Sequence, residues 1–121
     1  ERQNGRINKG SMVIIQTGYD ALYGTDAFVN DAVPGFSGDA VQWLFDNRAI
    51  AGVGSDTVGP DAAIDTDFLA TYTALANDGL ALPGLANLDS LNRNGDIIIS
   101  GAVRLGNGSG YQVDPLACHR D

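Results

Sequence analysis

A chain of 121 residues with 44% hydrophobic side chains has material for one core, which argues against a disordered segment. No apolar run approaches the length of a membrane-spanning helix. The net charge of −8 is concentrated, with eleven aspartates against Arg48 alone in residues 11 to 90, and such a surface repels phosphate backbones and argues against nucleic acid as a partner.

The first ten residues differ, with Arg2, Arg6 and Lys9 against Glu1, and read as a basic, flexible N-terminal segment of a single domain spanning 1–121. The chain opens on Glu1 rather than methionine, which suggests a processed or truncated product. Met12 to Ile15 is an apolar run with polar flanks and predicts a largely buried strand. Residues 18 to 36 are rich in glycine and aspartate, end in VPGF, and predict loop with little regular structure.

Ser37 or Asp39 can cap a helix running through Asn47, with Ala40, Val41, Leu44 and Phe45 at helical spacing and Trp43 beside them. AIAGVG, residues 49 to 54, reads as a short buried strand whose small residues let its neighbours approach closely. Asp67 to Asn77 predicts a second helix with Phe68, Leu69, Tyr72, Leu75 and Ala76 on one face, and NDG as a glycine stop. Pro83 and Gly84 then interrupt the chain before a short helical turn. GDIIISGAVRL and YQVDPLA, from Gly95 and Tyr111, read as two strands joined by the flexible hairpin loop GNGSG. Strands alternating with helices predict an α/β architecture with a partly parallel sheet.

Few residues carry chemistry. His119 is the only histidine and Cys118 the only cysteine, so neither a disulfide nor a two-histidine metal site can form within one chain. If the terminal strand continues, these neighbours point to opposite faces and make no Cys–His pair. NRNGD, Asn92 to Asp96, has the look of a calcium loop but places Ser90 and Gly101 where the first and twelfth ligands belong, so it reads as a turn. NGS at Asn107 fits a glycosylation sequon, which matters only for secretion from a eukaryote. The compartment stays open; a secreted or periplasmic protein is compatible with this composition.

GVGSDTVGPD, residues 52 to 61, is more informative. It ends a buried strand in Gly54, Ser55, Asp56 and Thr57, with Asp61 following, and so places polar groups at the carboxyl edge of a sheet where α/β proteins place ligand sites. The same groups can equally hold a loop together, Asp56 and Thr57 bonding to backbone and Pro60 stiffening the turn. The residues alone leave both readings open.

The order of these pieces is similar to the later part of the cyclase family of metal-dependent hydrolases, which includes kynurenine formamidases and isatin hydrolases. The resemblance rests on GSMVIIQTGY, PGFSGDAVQWLFDNRAIAGVGSDTVGPD and GLANLDSLNRNGDIIISGAVRLGNGSG, and covers residues 10 to 117. It implies the C-terminal part of a swivelling β/β/α fold with a mixed sheet, and an ancestry in amide or lactone hydrolysis. The family's metal-binding motif, near H-x-G-T-H-x-D, is absent here. A later histidine and glutamate of many members fall at Thr71 and Pro83, and an arginine near the C-terminal strand falls at Asp114. Proline offers no ligand atom and a lone threonine hydroxyl is a poor one.

The resemblance thus implies no catalytic or metal residue in this chain alone, and Zn or Mn only if a companion chain carries the family motif. Ser55, Asp56, Thr57 and Asp61 are then wall residues of the cleft. One expectation is the C-terminal chain of a cyclase-family amide or lactone hydrolase. The alternative is a non-catalytic binding or interaction protein derived from that fold. A half-fold exposes sheet edge and apolar face, so both predict a homo- or hetero-oligomer.

Overall fold

A computed structural model describes residues 1–30, 32–101 and 105–119 of the chain. It divides into two compact units, Glu1–Asp89 and Ser90–Asp121. The first unit holds β1 (Met12–Ile15), α1 (Asp26–Asn30), α2 (Gly38–Arg48), β2 (Gly52–Ser55), α3 (Leu69–Ala76) and β3 (Leu80–Leu82). Its sheet has the order β1-β2-β3 and is parallel throughout, with Val13 opposite Val53 and Val53 opposite Ala81. The second unit pairs β4 (Ile97–Ile99) with β5 (Leu116–Cys118) in antiparallel sense. The described residues therefore form an α/β fold with one parallel and one antiparallel sheet.

The core forms between β2 and the two longer helices, from Val41, Leu44, Ile50, Val53, Ala70 and Ala74, with Ile7, Val13, Phe36 and Phe45 packed around it. The Ser37 hydroxyl accepts from the Ala40 N–H at 3.2 Å, satisfying one of the free amides that open α2. Glycine at position 52 has a steric reason. A Cβ there would run into the Leu80 carbonyl oxygen, so a larger residue would push β3 away from β2.

Several expectations are corrected. Residues 18 to 36 are not plain loop; they contain a 3-10 turn at Tyr19–Leu22 and α1, although Asp31 lies outside the described residues. β3 was hidden in the sequence because three residues are too few to show alternation, and its identity comes from pairing with β2. The second helix begins at Leu69 rather than Asp67, because Phe68 takes a left-handed conformation (φ 54°).

The face of α3 that periodicity marks is turned to solvent. Ala70 and Ala74 are buried, while Phe68, Leu69, Tyr72 and Leu75 are exposed. Gly79 does not provide the helix stop by a positive φ; Asp78 holds the left-handed position (φ 55°). Gly79 is small for another reason, since a Cβ there would lie 2.4 Å from the Phe45 ring.

In the second unit β4 is shorter than GDIIISGAVRL, whose residues 102–104 lie outside the described ones. Within YQVDPLA only the end joins β5, because Ile97 pairs with Cys118 and Ile99 with Leu116. GNGSG thus belongs to a long connection rather than a tight hairpin.

Candidate functional site

Parallel strands bring their carboxyl ends to one edge, and the segment after β2 is the junction of all three. Asp56, fully buried, accepts from the Thr17 N–H at 2.8 and 3.0 Å, from the Thr17 hydroxyl at 2.6 Å and from the Gly18 N–H at 2.6 Å. Its carboxylate therefore fixes the loop that leaves β1. On the other side the Thr57 carbonyl accepts from the Gly84 N–H at 2.8 Å, and the Ser55 carbonyl from the Leu85 N–H at 3.0 Å, which fixes the chain leaving β3.

The two hydroxyls of the segment turn inward. Ser55 Oγ donates to the Gly59 carbonyl at 3.0 Å, and Thr57 Oγ1 lies 2.6 Å from that carbonyl and 2.8 Å from Ser55 Oγ. Both side chains are fully buried. Neither hydroxyl is presented as a nucleophile, because each bonds the turn that Pro60 closes.

Asp61 reaches forward to α3. Its carboxylate accepts from the Thr71 N–H at 2.9 Å and, in a very short bond, from the Thr71 hydroxyl. Asp65 accepts from the Leu69 N–H at 2.9 Å and the Asp67 N–H at 3.1 Å. Phe68 precedes the helix and offers no capping oxygen, so these two aspartates take the opening amides of Leu69 and Thr71. Phe36 bridges Asp61 in parallel, and its N–H donates to the Pro60 carbonyl at 2.8 Å, which locks VPGF beside the same segment.

The structure thus joins Ser55, Asp56 and Thr57 in one junction and links Asp61 to Thr71. Pro83 stands next to Gly84, whose amide enters that junction. Sequence reasoning missed Thr17 and Gly18 as the partners of Asp56; the T-G after a strand was visible, but not which acid it would meet. In the second unit, Asp96 accepts from the Asn92 N–H and side-chain amide, and His119 Nδ1 lies 3.2 Å from it. The Asn92 side chain, and then its backbone and the nearby His119, hold the Asp96 carboxyl below the usual carboxylate range. Cys118 is exposed and unbridged.

These donors do not make a metal centre by themselves. Asp56 and Asp61 are occupied by backbone amides and hydroxyls, Thr71 gives its proton to Asp61, and Pro83 has no donor atom. Among the described residues no three His, Cys, Asp or Glu side chains gather as a ligand set. The junction sets the positions of three loops at one sheet edge. Among the described residues no helix is long and apolar enough to cross a membrane.

Comparison with known proteins gives this arrangement a context. The sequence profile of the family described as "Putative cyclase" matches residues 1–62, just over half of the chain. The isatin hydrolase of Roseibium aggregatum is 30% identical over 127 aligned residues, covering 97% of this chain and 48% of that protein. A crystal structure of an isatin hydrolase bound to the product analogue thioisatinate superposes with a TM-score of 0.84 at 31% identity, over 96% of this chain and 48% of that one. Isatin hydrolase A from Ralstonia solanacearum gives 0.83 at 28% identity over the same shares. The chain spans about half the length of the relatives it matches.

Proposed function

Because this chain belongs to the cyclase family, we propose that it is the loop-organising half of a cyclase-family hydrolase that opens amide or lactone bonds, with a companion half supplying the metal ligands. The observation that carries this reading is a mismatch. The fold agrees with isatin hydrolases over 96% of the chain, yet covers 48% of their length, and the polar groups at its sheet edge are consumed in holding loops. The relatives' names point to a cyclic amide of the isatin type as the substrate class.

In this reading Asp56, Ser55, Thr57 and Asp61 do not touch the reacting atoms. Asp56 positions Thr17 and Gly18, and Asp61 positions the first turn of α3, so that the cleft wall keeps its shape. A Zn or Mn ion belongs to the companion's side chains, and this chain contributes no ligand to it.

Denaturing mass analysis of the native preparation tests the pairing. A second, histidine-rich polypeptide is expected in equal amount, with close to one Zn or Mn per pair. A chain that is alone, metal-free and inactive on cyclic amides would instead be a binding protein built on the same fold, and the hydrolase reading would fall.

A further inference from the structure

Helix α3 has no charged residue in its eight positions and is apolar on both sides. Ala70 and Ala74 are fully buried, while the opposite stripe exposes Phe68 by 64%, Tyr72 by 68% and Leu75 by 55%, with Leu69 beside them. A surface helix ordinarily turns a polar face to water, whereas α3 is apolar on two opposite faces with Thr71 and Thr73 between them, as suits a helix between two layers. Counting about 200 Å² for a free aromatic ring, the stripe presents on the order of 500 Å², as large as the largest apolar patch on a typical monomer. Phe68 adds a backbone argument. Its φ of 54° is costly for a bulky residue, and it holds the ring outward, where the chain itself gains little burial.

The rim of this stripe carries one sign of charge. Asp65 and Asp67 precede the helix, Asp78 follows it, and no lysine or arginine occurs between Arg48 and Arg93. A second copy laid on this face would set aspartates against aspartates. The relatives meanwhile carry about as much chain again on the same fold. We propose that the outward stripe of α3 is the docking surface for the companion half, which meets it with an apolar strip flanked by lysine or arginine. This rests on the companion reading above and adds the surface and the chemistry of contact.

The test co-expresses this full chain with the half of the Roseibium aggregatum isatin hydrolase that has no counterpart in it, and reads association by light scattering after size exclusion. A one-to-one complex is expected. Tyr72→Asp and Leu75→Asp should each weaken it at least about 30-fold, as for central interface anchors, with the melting of the isolated chain unchanged because both side chains face water. Asp67→Lys should weaken it roughly three- to tenfold, less so at high salt. A complex that all three variants form equally well would overturn the docking surface and leave the companion reading standing. No complex with the unaltered chain would overturn both. A self-dimer lost in Tyr72→Asp would also overturn the proposal, with a second copy as the occupant.

Discussion

Asp56 shows how one buried carboxylate can brace a loop far away in sequence. Its two oxygens take four hydrogen-bond contacts from Thr17 and Gly18, across 39 positions of sequence. Removing them strands buried donors, each of which costs about 1–3 kcal/mol when left unpaired. Asp56→Ala should therefore lower unfolding stability by about 3 kcal/mol in urea melts, the pairs being strongly coupled. Asp56→Asn should recover less than half of that, because its amide nitrogen faces amide donors. A variant as stable as the parent would mean that this brace does not carry the loop. The residue types of GVGSDTVGPD were legible in advance as either loop glue or cleft rim. Which amides Asp56 would meet was not, because it reaches Thr17 and Gly18 only when β1 and β2 lie side by side.

At the scale of elements, sequence patterns worked where local chemistry decides and failed where packing does. Ser37 is a capping residue in any context, and Met12–Ile15 is apolar enough to be a strand anywhere. The orientation of α3 could not be read, because periodicity marks Phe68, Tyr72 and Leu75 as a face but does not say what covers it. Here the alanine face won, since α2 approaches too closely for large side chains, as burial of Ala70 and Ala74 beside Val41 and Leu44 indicates. The end of that helix separates two roles that glycine can play. Gly79→Ala should destabilise by about 1–3 kcal/mol, because its methyl group would enter the Phe45 ring and the Ala74 carbonyl. Asp78→Gly should be neutral or stabilising by up to about 1 kcal/mol, as it relieves a left-handed residue. Paired urea melts decide, and equal effects would contradict this division.

For the molecule as a whole, the basic first segment is tied to the acidic remainder. Arg48 donates from Nε to Glu1 Oε1 at 2.6 Å and from its terminal nitrogen to Glu1 Oε2 at 2.7 Å, while stacking 4.6 Å from the centre of the Trp43 ring. The Arg48 hydrogen bonds, and then the Ile7 N–H, draw the Glu1 carboxyl from its usual 4.5 to about 2. A carboxylate lowered in the folded state contributes stability above its unfolded value and loses it as pH falls through the folded one. The tie should therefore be intact above about pH 4.5 and loosen toward pH 2. An NMR titration of the Glu1 carboxyl checks this. Arg48→Ala should return the midpoint toward 4.5, and an unaltered chain that already titrates there would show the tie absent in solution. The segment between β2 and α3 has a different consequence at this scale. Its contacts run back to Thr17, forward to Thr71 and on to Gly84, so three loops close at one knot. An insertion within residues 55 to 61 would therefore disturb all three loops together, whereas one outside that stretch would leave the knot tied.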